Sequence, residues 1–152
     1  MKKHLLAAIL LMAAAGGSQA ASAPDLNADR AWQVIAQVKS TLAAAHSTGC
    51  VAVVDGDGLL LAFQRLDGAP PGCVEASLGK ARTSALYHTP SLKMMQRLQK
   101  GETTVLAIPQ AVALGGGYPL SLKGDVVGAV GVSTPQQELD NQASESAARS
   151  LH

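Results

Sequence analysis

Two short turn signals constrain most of what this chain can become. Asp55-Gly56-Asp57-Gly58 separates Cys50-Val51-Ala52-Val53-Val54 from the run Leu59 to Arg65, and Lys123-Gly124-Asp125 separates Tyr118 to Leu122 from Val126 to Ser133. Gly and Asp supply the left-handed backbone of tight hairpin turns, so each signal implies an antiparallel strand pair. Cys50 to Val54 show no polar alternation, which is the pattern of a strand covered on both faces. Helices must therefore lie on both sides of the sheet.

The helical segments that can do so are readable. Ala31, Val34, Ile35, Val38, Leu42 and Ala45 recur at helical spacing behind Asn27, a capping residue. Val74 to His88 forms a second helix, in which Ala76, Gly79, Lys80, Thr83 and Tyr87 share a small-sided face that lets something come close. Pro90 ends it, and Ser91 to Gln99 adds another turn or two before Gly101. Thr103 to Leu114 reads as further strand, through Val105-Leu106-Ala107-Ile108 and Ala111-Val112-Ala113-Leu114. Gly128 and Gly131 inside the last strand predict close approach of another backbone or a ligand. Thr134-Pro135-Gln136-Gln137 reads as a cap with first-turn proline and capping-box glutamine ahead of a helix through Leu139, Ala143, Ala147 and Leu151. The expected fold is α+β, a central antiparallel β-sheet flanked by helices in one domain.

Residues 1–20 read as a secretory signal peptide. Lys2 and Lys3 make a positive start, Leu5 to Ala15 an apolar stretch too short to span a bilayer, and Ser18-Gln19-Ala20 a cleavage site. Residues 21–26 form a short tail, and the domain occupies 27–152. Removal of Lys2 and Lys3 from the twelve Lys and Arg leaves ten against eleven acidic residues, a formal charge of −1. With no basic stripe and only Trp32, Phe63, Tyr87 and Tyr118 as aromatics, nucleic acid is not an expected partner. No membrane span is expected once the signal is removed, and the location is periplasmic or secreted. Enzyme templates are absent too: no GxSxG, HExxH, P-loop or strand-to-helix GxGxxG occurs, and Ser84 with His88 one turn later lacks an orienting carboxylate.

Five fragments resemble the GlcG/HbpS, or haem-degrading domain, family: Val53-Val54-Asp55 with Gly58; Arg65-Leu66-Asp67-Gly68-Ala69; Lys80 to Ala85; Gly116-Gly117-Tyr118-Pro119; and Gly124 to Ser133. They stand in the family's order and spacing across nearly all of the mature chain. The resemblance implies a compact domain with a central antiparallel sheet, assembly into homo-oligomers, and haem as a ligand of several members, with haem sensing or handling as the task of exported ones. Other members are encoded with glycolate or diol metabolism. The expected function is an exported haem-binding protein that sequesters, delivers or senses haem. The alternatives are an enzyme degrading haem or acting on a small oxygenated metabolite, and a non-catalytic oligomeric partner subunit.

Haem requires an apolar slot, basic groups for its propionates and an optional axial ligand. The helix bearing Lys80, Arg82 and Thr83 is the candidate wall, with Lys80 or Arg82 meeting a propionate and Thr83 or His88 near the iron. His88 is the preferred metal ligand, against the plainer reading of a histidine at the negative end of a helix. His46 has a stronger claim to that plainer role. Tyr118 is a candidate phenolate ligand or a phenol capping the core. Arg65 and Asp67 point to one side of an extended segment and either pair or act across an oligomer interface, while Asp55 serves the turn. Cys50 and Cys73 are the only cysteines, and the hairpin brings Cys50 near Phe63 and the loop that leads to Cys73. They form a disulfide closing a loop worth about 3 kcal/mol, or remain two small buried hydrophobes.

Overall fold

A computed structural model describes residues 26–151. The expected signal peptide, the expected tail up to residue 25 and His152 lie outside the described residues. The chain runs α1 (Ala28–Ala44), β1 (Cys50–Asp55), β2 (Leu60–Arg65), α2 (Cys73–Tyr87), α3 (Leu92–Gln99), a 3-10 turn (Thr103–Ala107), β3 (Gly117–Leu122), β4 (Asp125–Ser133) and α4 (Gln137–Arg149). The strands form one antiparallel sheet in the order β2-β1-β4-β3.

Both turn signals make hairpins. Asp55 Oδ1 accepts from the N–H groups of Asp57 at 3.0 Å and Leu59 at 2.9 Å, an Asx-type turn closed by Gly58 at φ +78°. A register shift follows, Val53 pairing with Ala62 and Val54 with Leu60, so Leu61 is the bulged residue. The β3–β4 loop is the two residues Lys123 and Gly124, both at positive φ as the tightest hairpin demands. The centre of the sheet is the non-local pair β1–β4, with Cys50 opposite Ser133 and Asp55 opposite Gly128.

One face of the sheet is covered by α1 and α4. Ala31, Val34, Ile35, Val38 and Leu42 of α1 meet Val51, Val53, Val130 and Val132, together with Leu139, Ala143 and Ala147 of α4. Asn27 caps α1 as expected, its Oδ1 accepting from Arg30 N at 3.0 Å. The other face is covered by α2, through Ala81 and Ala85 against Ala52, Val54 and Ala129. This contact is close because Gly131 has no side chain. A methyl there would stand 2.0 Å from Ser77 O and 2.6 Å from Ala81 N, so the backbone approach expected at this glycine is that of α2. Gly131→Ala is expected to destabilise the protein by about 2–3 kcal/mol in urea unfolding, since neither blocking atom can rotate away. A loss below about 0.5 kcal/mol would show that α2 is not seated as tightly as described.

Two expectations are corrected. Thr103 to Leu114 is not strand: residues 103–107 form a 3-10 turn, Gln110 takes φ +56°, and residues 108–114 are loop. Only Val105 of this stretch is fully buried, and Leu106 is exposed. The 3-10 turn packs on α3, and the loop that follows meets α2 through Pro109 and Val112 without joining a ladder. The capping box also fails to form. Gln136 is the N-cap of α4 without a side-chain cap, and Gln137 Nε2 donates instead to Gly115 O at 2.7 Å. Thr134 Oγ1 does accept from Gln136 N at 3.0 Å, leading the chain into the helix.

The two cysteines are joined, with 5.4 Å between their Cα atoms. Cys50 begins β1 and Cys73 begins α2. Ala69, Phe63 and Val74 pack around the bridge as a small satellite core.

Candidate functional site

The small-sided face of α2 is occupied by the protein itself. Thr83 Oγ1 donates to Gly79 O at 2.8 Å and accepts from Val112 N at 2.9 Å. A methyl on Gly79 would stand 3.0 Å from Val112 Cγ1, and Tyr87 Oη donates to Pro109 O at 2.6 Å. The loop 108–114 is thus laid along the stripe predicted to admit a ligand. Thr83 is fully buried in this seam.

Lys80 is buried as well. Its Nζ donates to Asp140 Oδ2 at 2.7 Å and to Val132 O at 3.0 Å, with the two side chains 3% and 2% exposed. Asp140 Oδ1 accepts from Thr134 N at 2.7 Å. Gly116, at φ +107°, lets this bridge pass: a Cβ there would lie 2.7 Å from Asp140 Cβ and 3.2 Å from Lys80 Nζ. The ammonium therefore ties α2 on one face of the sheet to α4 on the other. Asp140 carried a signal in the sequence, since it shares a helix face with Ala143, Ser144 and Ala147, where an unpaired carboxylate would be costly.

What remains at the surface of α2 is its C-terminal end. His88 is exposed and takes φ +47°, the left-handed residue that ends the helix ahead of Pro90. Tyr87 beside it is also exposed. Arg82, half-buried, donates from Nε to Gly58 O at 3.3 Å, so the helix is pinned to the first hairpin turn, where Leu86 also packs near Gly58. His46 is exposed at φ +50° after α1, and no cluster of three or more His, Cys, Asp or Glu occurs among the described residues.

Tyr118 and Arg65 lie on the two edge strands of the sheet. Tyr118 is half-buried on β3, its hydroxyl 3.5 Å from Glu145 Oε1. Arg149 bonds the same carboxylate at 2.6 Å, and that hydrogen bond, then the Glu145 charge, with a smaller contribution from Tyr118, holds its guanidinium above the usual range. Glu145 lines a groove of about 700 Å³ between α3 and α4, with Leu92, Met95, Gln137 and Asn141. Arg65 is exposed at the end of β2 and donates from Nε to Ala69 O at 3.0 Å, not to Asp67, whose backbone carbonyl accepts from Thr48 Oγ1 at 2.8 Å. The six candidates thus divide into two interior groups, Lys80 and Thr83, and four nearer the surface, Arg82, His88, Tyr118 and Arg65.

A four-stranded antiparallel sheet with α1 and α4 on one face and α2 on the other defines an α+β domain whose polar chemistry is concentrated on α2 and the start of β3. A family profile described as "Haem degrading protein HbpS-like" matches residues 26–149, and the chain belongs to this HbpS-like family. It is 37% identical to the protein GlcG of Escherichia coli K12 over 83 residues, which are 55% of this chain and 62% of GlcG. The chain thus spans about three fifths of that relative's length. It is 31% identical to a UPF0303 protein of Paraburkholderia xenovorans over 127 residues, 78% of this chain and 75% of that one. Among solved structures, a double mutant of HbpS from Streptomyces reticuli superposes with a TM-score of 0.78 at 29% identity, covering 96% of this chain and 99% of that one. PduOC, solved as a haem complex, shares the fold with a TM-score of 0.76 at 21% identity, over 85% and 96% of the two chains.

Proposed function

We propose that this is an exported haem-handling protein that binds haem reversibly at its surface. The observation that carries the reading is the family match across residues 26–149, whose description concerns haem. Three features of the chain support it. His88 presents an exposed imidazole with no hydrogen bond or ion pair among the described residues, the donor type that holds haem iron in many proteins. Arg82 lies on the same helix with a half-buried guanidinium suited to a propionate. The disulfide between Cys50 and Cys73 suits an oxidising compartment, in keeping with an N-terminal signal. Lys80 and Thr83 hold the fold together instead of meeting the ligand, and Tyr118 stands as the alternative axial group from β3.

An imidazole on an exposed helix end leaves much of the porphyrin in solvent, which suits capture and release more than permanent retention. Titration of the purified protein with haemin is expected to give a saturable Soret shift at micromolar concentration, with His88→Ala altering the bound spectrum. No Soret shift would overturn the haem reading, and an unchanged His88→Ala spectrum would transfer the axial role to Tyr118. Degradation is the second reading, favoured by the family's description. Under a reductant it would appear as loss of the Soret band with release of chelatable iron and a bilin-like product, whereas a binding protein keeps its spectrum.

A further inference from the structure

Asp-Gly occurs three times in the chain, at residues 55–56, 57–58 and 67–68. In such a pair the glycine nitrogen, with no side chain beside it, lies within reach of the aspartate carboxyl carbon, and the two can close a five-membered ring. Closure needs a carboxyl group free to turn and a glycine N–H not already donated. The fold treats the three pairs differently on both counts. Asp55 is half-buried, and its Oδ1 is held by the N–H groups of Asp57 and Leu59. At Asp57 the carboxylate is exposed but the nitrogen is taken: the buried Gly58 donates its N–H to Asp55 O at 3.1 Å, and Arg82 Nε donates to Gly58 O.

Asp67-Gly68 has neither restraint. Both residues are exposed, and neither the Asp67 carboxylate nor the Gly68 N–H has a partner among the described residues. They form the centre of a β-turn closed by Ala69 N on Leu66 O at 3.1 Å, with Gly68 at φ +77° and nothing within 4 Å of where a Cβ would stand. The other tie on this turn is Thr48 Oγ1 on Asp67 O, also exposed. Two hydrogen bonds of this kind open in local fluctuations well short of global unfolding, which lets Asp67 rotate into the ring-closing geometry.

We propose that Asp67 is a site of spontaneous isoaspartate formation in the folded protein, and that the fold directs the reaction to this one of its three Asp-Gly pairs. Gly68 N attacks Cγ of the neutral Asp67 carboxyl group; the N–Cγ bond forms, and the amide proton and the carboxyl hydroxyl leave as one water. A second water opens the cyclic imide. Attack at Cγ breaks the new bond and restores aspartate. Attack at the original backbone carbonyl carbon breaks its bond to nitrogen instead, so the main chain runs through Cβ and Cγ and the carboxylate stays on Cα. No oxidant or cofactor takes part, and the product has the mass of the starting chain. The lengthened main chain no longer fits the Leu66–Ala69 turn, so the loop leading to Cys73 loosens while the disulfide keeps it attached. The modification is independent of haem.

The test is a time course of protein purified from cells expressing the full chain, kept folded with its disulfide intact at mildly acidic pH, beside the same protein reduced and unfolded in guanidinium. Peptide mapping with electron-transfer fragmentation distinguishes aspartate from isoaspartate at each site, and the imide is lighter by one water. In the folded protein, isoaspartate and imide should accumulate at Asp67 about tenfold or more faster than at Asp55 or Asp57, whereas in the unfolded chain the three rates should agree to within about threefold. Asp67→Glu, which would have to close a six-membered ring, should remove the signal at this position. Asp67→Asn should hasten it about tenfold or more through loss of ammonia in place of water, with circular dichroism unchanged at the start of the incubation. A folded protein still unmodified at Asp67 when the unfolded chain has reacted there, equal rates at the three pairs in the folded protein, or the same site preference folded and unfolded would each overturn the proposal.

Discussion

Lys80→Met is expected to cost about 3–5 kcal/mol, because it strands the Asp140 carboxylate, 2% exposed, without its counter-charge. Domains of this size have total stabilities of about 5–15 kcal/mol, so the variant should be marginal or unfolded at physiological temperature. Most of that cost belongs to the orphaned charge and not to the net worth of the pair. Lys80→Met combined with Asp140→Asn should therefore recover much of the loss, since the amide oxygen can still accept from Thr134 N where Asp140 Oδ1 does now. Urea unfolding of the three proteins reads the coupling directly. A single variant losing less than about 1 kcal/mol would show that water reaches this carboxylate and that the bridge is not what joins the two helical layers.

Removal of the disulfide comes next. The bridge spans a sequence separation of 23, for which the chain-entropy relation gives about 3 kcal/mol. Cys50→Ala/Cys73→Ala is expected to lose roughly that amount, and hydrogen exchange should speed up first in the 66–72 loop and the opening turn of α2. The loop has two other anchors, Arg65 Nε on Ala69 O, which is part-buried, and Thr48 Oγ1 on Asp67 O, which is exposed, each a single hydrogen bond of about 1 kcal/mol. Equal unfolding midpoints for oxidised and reduced protein, or two titratable thiols in the unreduced chain, would contradict this.

Where the signal lay within a few neighbouring residues, the sequence was readable. Asn27 with its helical stripe, the Asp55 turn, the Lys123-Gly124 hairpin and the covered strand Cys50 to Val54 all depend on local chemistry, and all occur in the structure. The cysteine pairing was equally accessible, since two cysteines leave one partner each. Long-range competition was not readable. Val105-Leu106-Ala107-Ile108 has strand composition, yet Pro109 and the left-handed Gln110 interrupt it, and Val112 finds its hydrogen bond on Thr83 instead of a neighbouring strand. Gln137 could close a capping box in isolation, but the Gly115 carbonyl competes successfully for its amide. For the candidate site the same limit applies more strongly. Lys80 has the look of a ligand-binding cation until its partner, 60 residues away on another helix, is known. His88, whose surroundings are local, was correctly placed at the end of its helix.

The central β1–β4 seam has a consequence for how the molecule is made. β1–β2 and β3–β4 are local hairpins, whereas the seam aligns Cys50 with Ser133 and must close a loop containing α2, α3 and the 3-10 turn. Closing so long a loop is entropically unfavourable and slow relative to hairpin formation, so the seam belongs late in folding. Cys50 and Cys73 both lie in the half that emerges first from the ribosome or a translocation channel. Oxidation can thus cross-link the first hairpin to α2 before β4 arrives to cover it. The bridge then shortens the search left to the second half, giving the covalent link a kinetic role in biogenesis alongside its equilibrium one.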